Sequence, residues 1–143
     1  MSNALHEHDV GPVNSAHAVA ALNATARFND VTPDKHIEDL CQQYAADWIV
    51  ENVAGKTVLD LGYGAGIVTG ALMDAGKEVT VVEGSPVVFE RIPCSKVLAL
   101  FEDFDTVHSF DTIVASHVLE HVADPVALLK KLRLWSKRLI VLV

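Results

Sequence analysis

The sequence is poor in basic residues and has no long apolar run. Eleven Lys and Arg stand against nineteen Asp and Glu, which gives a formal net charge of −8. A nucleic-acid-binding surface needs a basic patch that displaces counterions, so we expect no nucleic-acid partner. The apolar runs are shorter than the roughly 18 residues of a membrane span, so we expect no membrane segment. The N-terminus contains Glu7 and Asp9 and lacks the basic start and apolar centre of a signal peptide.

Cysteine is also scarce. The two cysteines, Cys41 and Cys94, are far apart in sequence and form no metal-type spacing. We therefore expect two buried free thiols in a reducing cytoplasm rather than a disulfide. Because half of the 143 residues are apolar, the chain can bury a substantial core as one domain.

The basic residues that are present are unevenly distributed, with five of the eleven between positions 130 and 138. We expect them on the solvated face and in the last turn of a helix, where cations interact favourably with the helix dipole. The alternative is a docking patch for an acidic substrate or partner.

From residue 57 onward, short apolar segments alternate with helical ones, which is typical of a parallel α/β sheet. Residues 85–95, which join the second and third strands, are few for a full crossover helix. The predicted helices span residues 67–75 and 125–133, and the predicted strands span residues 57–61, 78–83, 96–101, 112–116 and 138–143.

The region before residue 57 has a different pattern. Residues 1–15 resemble a polar tail, alanine and leucine favour a short helix near residues 16–22, and a longer helix is predicted from about Pro33 to Val53. We expect one apolar face of the longer helix to pack on the sheet, made of Ile37, Leu40, Cys41, Tyr44, Trp48 and Ile49. The predicted organisation is an N-terminal tail and helical lid or packing segment (1–56) and a core (57–143) within one structural domain.

A glycine-rich loop follows the first predicted strand, where residues 58–66 are VLDLGYGAG. Glycine permits positive φ and lacks a Cβ, so such a loop brings the backbone close to a ligand, and the next helix directs free N–H groups at it. A dinucleotide fingerprint starting at Gly62 would need glycine at position 67, which is Ile67. The spacing therefore argues against a dinucleotide oxidoreductase.

The pattern Asp60-x-Gly62-x-Gly64-x-Gly66 resembles the first motif of class I S-adenosylmethionine-dependent methyltransferases. The resemblance implies a three-layer Rossmann-like α/β sandwich, and we expect a mostly parallel sheet of order 3-2-1-4-5. It also implies that the loop, including Tyr63, wraps the methionine part of S-adenosylmethionine, with Asp60 orienting the amino group. Members of the family usually continue past the fifth strand into a helix and a β-hairpin that this sequence lacks, so we expect a truncated or naturally reduced chain.

Acidic residues follow the next two predicted strands. Glu83, followed by Gly84 and Ser85, ends the second strand, where a carboxylate can accept both ribose hydroxyls. Beyond the third strand, residues 101–104 are FEDF, and the resemblance implies an acidic residue against the adenine amino group. The first candidate for this role is Asp103 and the second is Glu102, with Phe104 along the ring.

Residues 110–125, FDTIVASHVLEHVADP, resemble the fourth-strand segment of the small-molecule branch of the family. The resemblance implies that Ser116, His117 and Val118 face the methyl donor. His117 could be a general base, or it could only form a wall of the cofactor site. His121 is the second catalytic candidate if the segment is helical, and otherwise it fixes the turn. The i, i+3, i+4 spacing of His117, Glu120 and His121 could also gather a metal, but we expect none.

The expected function is methyl transfer from S-adenosylmethionine to an oxygen or nitrogen of a small-molecule acceptor, with S-adenosylhomocysteine as product. The alternative is a cofactor-binding but catalytically incomplete module that acts as a fragment, subunit or regulator. The last strand, residues 139–143, is apolar and leaves an open edge. We expect a second copy of the chain to occupy this edge, or else a segment from the N-terminal 30 residues.

Overall fold

The structure is a computed structural model that describes residues 35–143, of which Ile37–Val143 form one compact unit. Five strands form a single sheet: β1 (Thr57–Leu61), β2 (Glu78–Glu83), β3 (Ser95–Leu98), β4 (Thr112–Ser116) and β5 (Leu139–Leu142). Their order is β3-β2-β1-β4-β5, and every neighbouring pair is parallel. The predicted strand order is confirmed. In such a sheet the chain winds in opposite directions from β1, which opens a crevice at the carboxyl ends of the central strands.

The described helices are α1 (Lys35–Asn52), α2 (Ile67–Asp74), α3 (Pro86–Phe89) and α4 (Pro125–Trp135), with a 3₁₀ turn at Leu119–His121. The connection between β2 and β3 holds a single helical turn, as its length predicts. The side chain of Asp124 caps α4 by accepting a hydrogen bond from the backbone N–H of Ala127, 2.9 Å away. None of the helices within residues 35–143 is long and apolar enough to cross a membrane.

The sheet has a packed apolar layer on each face because successive strand residues point to opposite sides. On one face Val58 packs with Ile49 of α1 and Leu72 of α2. On the other face Leu59 packs with Leu128 and the rest of the buried side of α4. The three-layer α/β sandwich is thereby confirmed.

The predicted apolar face of α1 is right for Ile49 and wrong for four other residues, while the side chain of Ile37 lies outside the described part of the chain. Tyr44 is 80% exposed, Leu40 52% and Trp48 50%, and Cys41 is exposed as well, whereas Ile49 is fully buried. A second stripe faces the sheet instead, formed by Ala46, Ile49, Val50 and Val53. These residues also have helical spacing, and the short link from α1 to β1 holds the C-terminal half of the helix against the sheet.

Three smaller predictions also need correction. The expected burial of both thiols is wrong for Cys41, which is exposed, and Cys94 is only half-buried, although both are free. β3 ends at Leu98 rather than Phe101: the Ala99 N–H still donates to the Glu83 carbonyl (3.1 Å), and the chain then leaves the sheet so that Phe101 lies beside Gly62. α4 continues past Arg133 to Trp135, whose ring is buried in the core and therefore holds the last half-turn in place.

Asp111, just before β4, joins the starts of β1 and β4. Its Oδ2 accepts hydrogen bonds from the backbone N–H groups of Lys56 (2.7 Å) and Thr57 (2.9 Å) and from the Thr57 hydroxyl (3.1 Å). These donors hold the pKa of the Asp111 carboxyl below its ordinary value. Gly55 has φ 68°, and a Cβ there would clash with the Asp111 side chain, so the joint requires glycine.

Side chains of the basic cluster donate hydrogen bonds to backbone carbonyls, two of which are distant in sequence. Lys131 Nζ donates to the carbonyl of Glu102 (2.9 Å), an Arg138 guanidinium N–H donates to the carbonyl of Asn52 (2.6 Å), and Arg133 bonds the carbonyl of Lys137. Lys130, Lys131 and Arg133 lie on α4 as expected, whereas Lys137 and Arg138 follow its end at Trp135. The predicted tail, the helix near residues 16–22 and the helix start at Pro33 lie outside the described residues.

Candidate functional site

The glycine loop after β1 has the backbone conformation that its sequence predicts. Gly62, Gly64 and Gly66 have φ of 81°, 53° and 82°, values that L side chains rarely adopt. A Cβ at Gly64 would meet no atom within 4 Å, so the backbone there borders open space. A Cβ at Gly66 would lie 2.5 Å from Tyr63 Oη, because the Tyr63 ring folds back over the start of α2. The loop therefore exposes its middle and packs closely at its end.

Glu83, at the carboxyl end of β2, fixes this loop. Its Oε2 accepts the backbone N–H of Tyr63 at 3.0 Å, and its Oε1 accepts the backbone N–H of Ser85 at 2.8 Å. The residue is only 3% exposed. A carboxylate oxygen can accept two hydrogen bonds, so each oxygen keeps one acceptor position for a hydroxyl donor. Glu83 is thus a buried, oriented carboxylate that suits a vicinal diol.

The ends of β3 and β4 meet the same loop. A Cβ at Gly62 would lie 3.4 Å from Phe101 and 3.7 Å from Val118, so these two side chains flank the loop. Gly84 approaches Leu100 closely enough that a Cβ would lie 3.2 Å from its side chain. The structure therefore brings together predicted residues from β1, β2 and β4. It also adds Phe101, the first residue of the FEDF segment, which was not among the predicted site residues.

Asp60 lies beneath the loop rather than on it. It is 1% exposed, and its Oδ2 accepts a hydrogen bond of 2.6 Å from the Thr69 hydroxyl of α2. Burial raises the pKa of Asp60 to about 7; the Thr69 hydrogen bond lowers it, and the nearby negative charge of Glu83 raises it. Asp60 therefore ties α2 to β1, and its predicted role toward an amino group stays a prediction.

The acidic pair after β3 and its phenylalanine neighbour have different surroundings. Glu102 and Asp103 are both exposed. Phe104 is buried, with its ring edge-on to Trp135 at a centroid distance of 5.3 Å. The Phe104 ring thus belongs to the core between the sheet and α4, and the half-buried aromatic ring beside the glycine loop is that of Phe101.

His117 directly follows β4 and has an unusual backbone. Its φ is 54°, and it is the only non-glycine residue with positive φ in the described part of the chain. Its backbone N–H donates to the carbonyl of Leu142 at 2.8 Å, and its Nδ1 lies 3.2 Å from Glu120 Oε1. Strained conformations of this kind cluster at functional sites. His117 stands at the carboxyl end of β4, and its side chain is 63% exposed.

The helical premise for His121 is wrong. Residues 119–121 form one 3₁₀ turn, and His117 is left-handed, so the i, i+4 face of an α-helix does not exist here. Within residues 35–143, no three His, Cys, Asp or Glu side chains are grouped as a metal site. His121 is exposed, and its backbone N–H closes the turn on the Val118 carbonyl at 3.0 Å.

A separate groove of about 620 Å³ lies between α1 and α2, lined by residues that include Gln43, Asp47 and Gly66. It shares Gly66 with the glycine loop but is lined by neither Glu83 nor His117. It is therefore distinct from the crevice at the strand ends.

The parallel sheet of order 3-2-1-4-5 and the crevice at its strand ends define a Rossmann-like α/β fold. Residues 34–142 match the sequence profile of the methyltransferase domain family. The chain therefore belongs to this family.

Two curated relatives have the same name. The ubiquinone biosynthesis O-methyltransferase of Aromatoleum aromaticum is 35% identical over an alignment of 96 residues, with 55% of this chain and 39% of that protein covered. Its counterpart from Pseudomonas fluorescens is 31% identical over 102 residues, covering 59% of this chain and 42% of that protein. The chain thus spans about two-fifths of the length of these relatives.

Solved methyltransferase structures are also similar to this chain. The N-terminal domain of EvdMO1, crystallised with S-adenosylhomocysteine, superposes with a TM-score of 0.60 at 27% identity, covering 66% of this chain and 46% of that chain. Magnesium protoporphyrin IX methyltransferase from Synechocystis gives a TM-score of 0.62 at 20% identity, covering 78% of this chain and 62% of that chain. The second similarity shows the fold alone.

Proposed function

We propose that this chain binds S-adenosylmethionine and transfers its methyl group to an oxygen or nitrogen of a small-molecule acceptor. The observation that carries the proposal is Glu83, a buried carboxylate oriented by two backbone N–H groups beside a glycine loop. Its two remaining acceptor positions suit the two hydroxyls of a ribose. The open space at Gly64 leaves room for the methionine part.

The other proposed cofactor contacts surround this pair. Phe101 and Val118 flank Gly62 and offer apolar surface to a flat ring. Asp103, or else Glu102, would accept the adenine amino group. Asp60 would orient the amino group of the cofactor's methionine part from beneath the loop. Phe101 takes the place predicted for Phe104, whose ring lies in the core. The full proposed set is Asp60, Gly62, Tyr63, Gly64, Gly66, Glu83, Gly84, Ser85, Phe101, Glu102, Asp103, Ser116, His117 and Val118.

Catalysis of this kind needs little protein chemistry. The cofactor supplies a methyl group that is already activated on a sulfonium centre, so the chain mainly positions an acceptor. An oxygen or nitrogen acceptor with a proton to lose also needs a base, and His117 is the proposed one because it stands exposed at the end of β4. The curated relatives are named as O-methyltransferases, which supports an oxygen acceptor.

Calorimetry with S-adenosylhomocysteine tests cofactor binding. We expect Glu83→Ala to weaken binding by about 1–3 kcal/mol, the scale of hydrogen bonds to a charged group. The matched control is Glu78→Ala, which removes an exposed glutamate at the other end of the same strand. Equal affinity of both variants and the parent chain would overturn the proposed site.

Turnover is a second question, tested by release of S-adenosylhomocysteine with a panel of phenols, hydroxy acids and amines. We expect His117→Ala to lower kcat more than cofactor affinity, because a base acts mainly in the transition state. Equal losses in both would make His117 a binding wall instead. Tight cofactor binding without turnover on any acceptor would refute the enzymatic part of the proposal.

We also propose a cytoplasmic location and self-association through β5. The location is supported by two free cysteines, of which Cys41 is exposed. Self-association is supported by the apolar outer strand, where Val141 is exposed and no described strand pairs with the outer edge. A groove of about 510 Å³ runs along this strand between Trp48 and Arg138.

A further inference from the structure

We propose that Glu120 is a positioning residue for His117. Its carboxylate accepts the Nδ1 proton of the imidazole and thereby leaves Nε2 free to take a proton from the methyl acceptor. This inference rests on the proposed function, in which His117 is the base. It adds Glu120 as the residue that sets the tautomer and the orientation of the His117 ring.

The first support is the contact itself. His117 Nδ1 and Glu120 Oε1 are 3.2 Å apart, within hydrogen-bond range. A carboxylate only accepts hydrogen bonds, so this contact requires a proton on Nδ1 of a neutral ring. In a neutral imidazole the other nitrogen then carries the lone pair.

The second support is that the backbone holds both partners in place. His117 is bonded through its N–H to Leu142 and adopts φ 54°, a conformation that a histidine keeps only when its surroundings determine it. Between the partners, Val118 is 2% exposed and Leu119 packs against the core. Val118 and Leu119, anchored in this way, start the 3₁₀ turn that brings Glu120 back to His117.

The third support is a comparison of magnitudes. The side chains of His117 and Glu120 are 63% and 37% exposed, and ion pairs this exposed contribute little to stability. A left-handed histidine is therefore not explained by a stabilising surface pair.

The chemical step is a proton transfer. As the acceptor oxygen or nitrogen bonds to the methyl carbon, the bond from that carbon to the sulfonium sulfur would break and leave a neutral thioether, and the acceptor's proton would pass to Nε2. The ring would then be a cation that is paired with the Glu120 carboxylate. After product leaves, the proton passes to solvent and the neutral Nδ1–H ring is restored. Neither residue is consumed.

The tautomer can be measured without any turnover. ¹⁵N NMR of the imidazole nitrogens, at a pH where the ring is neutral and with His117→Ala to assign the signals, should show Nδ1–H as the major form in the parent chain. Glu120→Ala should return the ring to mostly Nε2–H, the form a free imidazole prefers. Glu120→Gln should keep Nδ1–H, since an amide oxygen also accepts. A ring that is mostly Nε2–H in the parent chain, or unchanged in Glu120→Ala, would overturn the proposal.

Kinetics with a reactive acceptor provide the second readout. We expect Glu120→Ala to lower kcat at least tenfold with unchanged affinity for S-adenosylhomocysteine, and Glu120→Gln to recover part of the loss. The control is Glu90→Ala, at an exposed glutamate after α3, which should behave as the parent chain. In a His117→Ala background, Glu120→Ala should cost no more than about a further twofold, because the two residues act as one unit. An equal loss in both backgrounds would overturn the proposal. Absence of turnover in the parent would refute the enzymatic function, while the tautomer measurement would still decide the role of Glu120.

Discussion

At Gly64 the backbone turns with φ 53° and borders open space, so a side chain there would enter the volume assigned to the cofactor. We expect Gly64→Val to abolish measurable binding of S-adenosylhomocysteine, through both the added atoms and the strained φ. The control is Gly70→Ala in α2, where a Cβ also meets no atom within 4 Å but φ is not positive. That variant should bind normally and gain about 0.5–1 kcal/mol of stability, because alanine is the better helix former. Unchanged binding by Gly64→Val in calorimetry would contradict the loop assignment.

Asp60 gives stability a pH dependence. Its pKa is raised from 3.8 to about 7, so the folded chain holds a proton that the unfolded chain releases. The contribution of Asp60 to stability is therefore complete below about pH 4, is lost as pH rises toward 7, and is level above that. Asp60→Asn keeps an acceptor for the Thr69 hydroxyl but cannot ionise.

The measurement is the free energy of unfolding in urea between pH 4 and 8. We expect the stability of Asp60→Asn, relative to the parent chain, to increase from pH 4 to 7 and then stay constant. Taking the difference cancels the opposite trend that carboxyls with a lowered pKa, such as Asp111, give to both proteins. Parallel curves for the two proteins would show that Asp60 is ionised throughout.

At the scale of elements, α1 offers a direct test of which stripe packs. Ile49→Ala should cost about 2–5 kcal/mol of stability, as large-to-small changes in a core do. Tyr44→Ala, on the exposed stripe, should change stability by less than about 0.5 kcal/mol. Chemical denaturation of both variants measures the contrast, and a large loss in Tyr44→Ala would mean that its ring is covered in solution.

The central strands and α2 could be predicted from sequence because their signals agree. β1, β2 and β4 are continuous apolar segments bounded by glycine or polar residues, and both the bounds and the order are confirmed. α1 could not be oriented, because two stripes of the same spacing compete and only the short link to β1 decides between them. The predicted third strand was too long because it ran to Phe101. The apolar residues after Leu98 turn toward the crevice and are not part of the strand.

For the candidate site, motif spacing located the loop and Glu83, which depend on local backbone rules. Spacing could not give the left-handed φ of His117 or its contact with Glu120, because both follow from how the end of β4 meets β5. The helical reading of residues 117–121 was wrong for the same reason. Phe101 also became visible only when β3 was placed beside β2.

At the scale of the whole molecule, the proposed self-association depends on the outer edge of β5. Val141→Lys puts a charge on the outer strand, a change that blocks strand pairing between copies. We expect the parent chain to sediment as a concentration-dependent dimer and the variant as a monomer. Leu134→Lys is the matched control, since Leu134 is 80% exposed on α4 and away from the strand, and it should still associate. A monomeric parent chain, or an associating Val141→Lys, would contradict self-association through this edge.

The joint made by Asp111 and Thr112 also bears on the order in which the fold forms. Its hydrogen bonds to residues 54–57 connect positions 54 to 58 apart in the chain, whereas the bond from Tyr63 to Glu83 spans 20. Closing a longer loop costs more chain entropy, so we expect β1 to pair with β2 before it pairs with β4. The half that holds Glu83 and the glycine loop is also synthesised first. A nascent chain should therefore complete the half of the crevice that holds Glu83 before β4, which His117 follows, joins it.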